Sequence, residues 1–178
     1  LRLLPRAEGK TVPEESYGLV TLHRPGNVDS RRKLALIMEA LGKLSPMKLL
    51  FPAHPRTVKN IASWELQEMV PNNLEILPPM DYLTFIRHQQ RASVVITDSG
   101  GVQEETSVMG VPCVTVRPNT ERPVTCTMGT NVLCPDPVGI PSAVAEQMKN
   151  RPEKPTEIPM WDGSAGERIA EEIERLLK

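Results

Sequence analysis

Short continuous apolar runs alternate along the chain with stretches whose apolar residues recur every three or four positions. The runs "YGLVTLH" (17–23), "MKLLFPAH" (47–54), "LEILPP" (74–79), "ASVVITD" (92–98), "PCVTV" (112–116) and "TNVLC" (130–134) read as strands. Helices are predicted over 31–44, where Leu34, Met38, Leu41 and Leu44 share a face, and over 57–69, 81–90, 101–109, 141–150 and 165–177. Gly110 stops the fourth of these, and Ser164 with Glu167 has the spacing of a capping box at the start of the last. Strands that are apolar throughout, separated by helices and without hairpin signals, predict a three-layer α/β domain around a sheet of about six parallel strands. The polar, proline-rich "NRPEKPTEIPMWDGS" (150–164) reads as a linker carrying the final helix across the domain surface.

Composition narrows the partners. A chain of 178 residues, 39% apolar, can bury the core of one compact domain. The net charge is -1 with scattered Lys and Arg, and aromatics make up 3%, so neither a phosphate-tracking stripe nor a base-stacking platform is present and nucleic acid is excluded as a partner. Cys113, Cys126 and Cys134 are odd in number and lack C-x-x-C spacing, which points to a reducing, cytoplasmic setting and away from disulfides or thiolate zinc. No apolar run reaches the roughly 18 residues of a membrane span. The chain opens on Leu in mid-phrase, "LRLLPRAEGK", and is expected to be part of a longer protein, with residues 1–16 a linker remnant.

In open parallel sheets, ligands sit beyond the carboxyl ends of the strands. The strand exits here are polar: His23 and Arg24 after the first run, His54 and Arg56 after the second, and Asp98, Ser99, Gly100 and Gly101 in "TDSGGVQEE". Paired glycines opening a helix let a ligand approach the backbone, and the unpaired N–H groups there favour an anion. The stretch lacks the Walker lysine and the G-x-G-x-x-G spacing, so ATP-type and dinucleotide fingerprints are not met. A bland alternative is that Asp98 and Ser99 only cap the helix, which leaves the glycine pair unexplained. Glu104 and Glu105 lie about 100° apart on that helix and cannot share a task; one of them is placed to grip a ribose diol. Arg122 can add a phosphate contact through its planar fork.

Taken together, "VTLHRPGNVD", "FPAHPRT", "DYLTF", "TDSGGVQEE", "GVPCVTVRPNTERP" and "DGSAGERIAE" resemble, in order and spacing, the C-terminal half of the UDP-N-acetylglucosamine 2-epimerase family from Tyr17 onward. The resemblance implies a Rossmann-like domain, the C-terminal, nucleotide-binding half (17–178) of a glycosyltransferase-B type fold whose N-terminal domain is a missing partner. It implies diphosphate against Ser99, Gly100 and Gly101, ribose on Glu105, uracil beside Met80 and Phe85, and Arg122 and a catalytic His23 on the phosphate and sugar side. His54 falls where bacterial members have a regulatory UDP-sugar site, and Phe85 is equally explained as core. The implied reaction eliminates UDP to a glycal and adds it back on the other face, serving cell-envelope polysaccharide synthesis. It needs no cofactor or metal, and the full-length protein would be a homodimer. Met80 stands where some relatives carry Gln and Gly26 where many carry Glu, and the family's catalytic carboxylates have no counterpart in this half. Two alternatives stay open: a nucleotide-sugar glycosyltransferase domain and a non-catalytic flavodoxin-like module.

Overall fold

The computed structural model describes residues 4–153 and 157–177. In chain order its elements are α1 (Leu4–Ala7), β1 (Tyr17–Thr21), α2 (Pro25–Val28), α3 (Arg31–Gly42), β2 (Lys48–Pro52), α4 (Pro55–Ser63), β3 (Leu74–Leu77) and α5 (Tyr82–Arg91). There follow β4 (Val94–Thr97), α6 (Gly100–Met109), β5 (Cys113–Thr115), α7 (Val124–Thr127), β6 (Asn131–Leu133), α8 (Ile140–Lys149) and α9 (Ala165–Leu176). All six strands are parallel and lie in the order β3-β2-β1-β4-β5-β6. The predicted parallel sheet of about six strands is therefore the sheet observed.

Strand alternation divides the core between the two faces. Val20, Val94, Ile96 and Val114 point into a cluster with Leu34, Ile37, Met38 and Leu41 of α3, Ile61 of α4 and Val144 of α8. Tyr17, Leu19, Leu50 and Val95 point the other way, toward Val102 of α6 and the neighbouring Ala92 and Val111. Each fully buried Leu, Ile or Met side chain contributes about 1.5–3 kcal/mol, so the four such residues of α3 anchor that helix firmly. Gly110 ends α6 in the left-handed region at φ 69°, where a side chain would be strained, and turns the chain into β5.

Several predicted boundaries need correction. The helix expected over 57–69 ends at Ser63; Glu65 turns the chain at φ 54°, which lets Leu66 bury and starts a separate 3-10 turn at Gln67–Met69. The short α2, α7 and the turn Pro137–Gly139 carry too few residues to show a period. No capping box forms at α9: the Ser164 side chain makes no capping bond, and Asp162 instead accepts from the Ser164 N–H and from Arg168. Nor does α9 lie across the domain, since none of its described residues is buried and Ile169, Ile173 and Leu176 are 60%, 52% and 72% exposed. Residues 154–156 of the expected linker fall outside the described residues.

Candidate functional site

Strand order reverses between β1 and β4, so their carboxyl ends border the crevice where sheets of this kind hold ligands. Asp98, leaving β4, is completely buried and spans that crevice. Its carboxylate accepts from the His23 N–H (3.1 Å), the Arg24 N–H (2.9 Å) and the Asn27 side-chain amide (2.9 Å). It also lies 3.1 Å from His23 Nδ1. This set of donors offsets the burial of the charge. Asn27 donates in addition to the Val116 carbonyl (3.0 Å), and Arg56 donates to the His23 carbonyl (2.8 Å), so the exits of β1, β2, β4 and β5 are tied together. With Nδ1 turned toward Asp98, Nε2 is the ring nitrogen left for a ligand.

Asp98 thus does not cap α6, and neither does Ser99, whose side chain makes no capping bond. The first N–H groups of α6 are left with the partial positive charge of a helix start. A Cβ built on Gly100 or Gly101 would meet nothing within 4 Å, so the backbone there faces open space. One turn along, Gln103 is buried, and its Oε1 accepts from Thr120 Oγ1 (2.6 Å) and Asn131 Nδ2 (3.3 Å). Thr120 Oγ1 in turn accepts from the Arg122 N–H (2.9 Å), which fixes the loop carrying Arg122 against α6.

The two adjacent glutamates separate as the helix geometry requires. Glu104 pairs with Arg122 Nε, while Glu105 turns toward α5, accepting from Tyr82 OH (2.9 Å) and Gln89 Nε2 (2.7 Å). Burial first, and then the Glu105 carboxylate, hold the Tyr82 phenol above its ordinary pKa. Met80 lies in the loop before α5, and Phe85 on α5 is half-buried against the cluster around Tyr17 and Leu19. His54 caps α4, its Nδ1 accepting from the Arg56 N–H (3.1 Å).

The structure therefore brings His23, Ser99, Gly100 and Gly101 to one crevice; Arg122 is tied to α6 through Glu104, Glu105 faces α5, and His54 joins the rim through Arg56. Sequence reasoning missed Asn27, Gln103, Thr120 and Gln89 as fixing groups, because a polar residue on a predicted helix or loop is assigned by default to solvent. A groove of about 660 Å³ bordered by Ser45, Lys48, Asn73 and Glu75 lies at the amino ends of β2 and β3. It offers a ligand little, since Lys48 pairs with Glu75 and Asn73 donates to main-chain carbonyls.

Residues 3–174 match the sequence profile of the family described as UDP-N-acetylglucosamine 2-epimerase. The UDP-N-acetylglucosamine 2-epimerase of Methanocaldococcus jannaschii is 37% identical over 163 residues, covering 89% of this chain and 44% of that protein. The UDP-2,3-diacetamido-2,3-dideoxy-D-glucuronate 2-epimerase of Pseudomonas aeruginosa is 39% identical over 122 residues, 67% of this chain and 33% of that one. Among solved structures, the crystal structure of the M. jannaschii enzyme in complex with UDP-GlcNAc and UDP superposes with a TM-score of 0.83 at 32% identity, covering 98% of this chain and 51% of that one. The chain spans about half the length of these relatives or less and corresponds to their C-terminal portion.

Proposed function

The chain belongs to the UDP-N-acetylglucosamine 2-epimerase family, and we propose that it is the UDP-binding half of an enzyme interconverting UDP-N-acetylglucosamine and UDP-N-acetylmannosamine. The observation that carries this reading is the crevice between β1 and β4, where the bare start of α6 at Gly100 and Gly101 meets His23 held by Asp98. In this reading the diphosphate takes the Gly100 and Gly101 N–H groups beside the Ser99 side chain, the Ser99 N–H being given to Thr97 Oγ1 (3.0 Å); Glu105 accepts from the ribose hydroxyls, and the uracil lies by Met80 and Phe85. Arg122 and His54 line the outer rim.

The reaction breaks two bonds of the sugar. The carbon-2 proton goes to a base, its electron pair forms a double bond to carbon 1, and the carbon 1–oxygen pair leaves with UDP; the reverse addition delivers the proton from the opposite face. In its cationic form His23, donating from Nε2, acts with the start of α6 to stabilise the charge gathering on the departing diphosphate. Arg122 adds its charge after exchanging Glu104 for phosphate. The base belongs to the N-terminal half of the relatives, the partner domain. We assign the exposed apolar stripe Ile169, Ile173 and Leu176 of α9 to the contact with that half. In the whole protein, a homodimer in the cytoplasm, 1–16 links the two domains. Cys113, Cys126 and Cys134, all free thiols, are at home there.

Calorimetric titration with UDP, FMN and phosphate tests the binding reading: UDP should bind more tightly than the other two, and a preference for FMN overturns it. By itself the chain should bind UDP weakly and produce no epimer, because bulk water bathes the sugar and no base reaches carbon 2. Deuterium entering at carbon 2 from heavy water would show that a base lies within these residues.

A further inference from the structure

The Glu105 carboxylate is held at both oxygens, and the two donors differ in kind. Tyr82, in the first turn of α5, is 51% exposed, whereas Gln89, two turns on, has no exposed surface. A buried amide on a helix is normally paired at both ends. Gln89 is not, because its Oε1 finds no partner among the described residues, while its Nε2 makes a charge-assisted bond of 2.7 Å to Glu105 Oε2. Packing alone gives no reason for this residue: Met has nearly the same volume and would fill the space without an unpaired oxygen. Glu105 gives no structural reason either, since it is only half-buried and water can satisfy its charge.

What the amide does is fix direction. A free glutamate rotates about three bonds, and one tethered from beneath at Oε2 presents its remaining lone pairs, out of about four on the two oxygens, along set lines. Two vicinal hydroxyls need such a fixed pair of acceptors, and affinity rises when the acceptor is ordered before the ligand arrives. We infer that Gln89 is a positioning residue for nucleotide recognition, orienting the Glu105 carboxylate toward the diol of the bound ribose. This rests on the ribose reading of Glu105, and the test separates the two.

UDP and 2′,3′-dideoxy-UDP are titrated by calorimetry into the unmodified chain, Glu105→Ala, Gln89→Met, Gln89→Leu and the double variant Glu105→Ala/Gln89→Met, and each protein is melted. Gln89→Met should weaken UDP about three- to tenfold, leave the dideoxy analogue unchanged and melt no lower than the unmodified chain. On the Glu105→Ala background it should have no further effect. If Glu105→Ala weakens UDP selectively but neither Gln89 variant does, the inference falls and the ribose reading stands. Equal losses for both nucleotides, or additive losses in the double variant, also overturn it. If Glu105→Ala shows no selectivity for the ribose hydroxyls, the ribose reading itself falls and takes this inference with it.

Discussion

Alanine at Gly100 or Gly101 separates what the start of α6 contributes to the fold from what it contributes to a ligand. Neither glycine has a positive φ, and a Cβ at either would meet nothing within 4 Å. Replacing Gly by Ala at such a compatible position stabilises by about 0.4–1 kcal/mol, chiefly by reducing the freedom of the unfolded chain. For a domain of this size that raises the melting temperature by roughly 1–4 °C per substitution. With a diphosphate seated on the Gly100 and Gly101 N–H groups, the same Cβ occupies the space of a phosphate oxygen. Losing one hydrogen bond to a charged group removes about 1.5–3 kcal/mol, and UDP affinity should fall by about 10- to 150-fold. Melting curves with and without UDP read both effects. The unmodified chain should gain about 2.7 kcal/mol at a hundredfold excess of UDP over its dissociation constant, and Gly101→Ala much less at the same concentration. A Gly101→Ala protein that melts lower without ligand would mean the space is not free. An unchanged UDP-induced shift would mean the phosphates sit elsewhere.

Glu105→Ala should weaken UDP roughly tenfold or more, and Glu104→Ala far less, because the latter only releases Arg122 from its pair; equal losses by calorimetry would show the ribose role assigned to the wrong glutamate. Asp98→Asn replaces an acceptor by a donor facing the Arg24 and Asn27 N–H groups, and should lower unfolding free energy by about 1.5–3 kcal/mol or more; a urea midpoint unchanged from the parent refutes the buried hub. Asp81, Glu121 and Asp162 are each drawn down to about 2, chiefly by the Thr84, Arg117 and Arg168 side chains respectively. Carboxyls that bind protons less readily folded than unfolded lend stability above their ordinary values of 3.8 and 4.5, and that stability is lost as pH falls through about 2. Urea midpoints that do not decline between pH 5 and pH 2 would contradict this.

How much of the molecule is legible in its sequence depends on range. The six strands are short apolar runs whose pattern needs no partner to be recognised, and their order along the chain with helices between dictates parallel pairing. The glycine pair is legible for the same reason, since two adjacent glycines opening a helix ask for an explanation wherever they occur. Asp98 shows the limit. Its position before a helix advertises a cap, yet its partners lie 71 to 75 residues away, and only the adjacency of β1 and β4 brings them into reach. Gln103 and Gln89 look like solvent-facing polar residues by periodicity, but α6 and α5 bury those positions, so their amides become fixing groups for Arg122 and Glu105. Glu65 is a local exception: a left-handed turn at a residue other than Gly or Asn leaves no mark on the hydrophobic pattern, which predicts a helix running through it.

In the proposed reading, nucleotide binding and turnover make different demands on the crevice. Binding, so read, needs donors aimed at phosphate and an acceptor aimed at ribose, and the two groups proposed for this rest on buried ones, His23 on Asp98 and Glu105 on Gln89. Turnover needs those donors to act on charge that appears only as the carbon 1–oxygen bond breaks, and that help depends on what surrounds them. Two unit charges about 4 Å apart attract by about 1 kcal/mol in bulk water and about 4 kcal/mol where the effective dielectric falls to about 20. On this proposal a second domain that closes over the crevice would supply more than the base: by expelling water it would strengthen severalfold the pull of a cationic His23 and of the α6 start on the departing diphosphate. Adding the N-terminal half should restore turnover only if it docks, since a base delivered to an open, wet crevice would remove the carbon-2 proton without a stabilised leaving group.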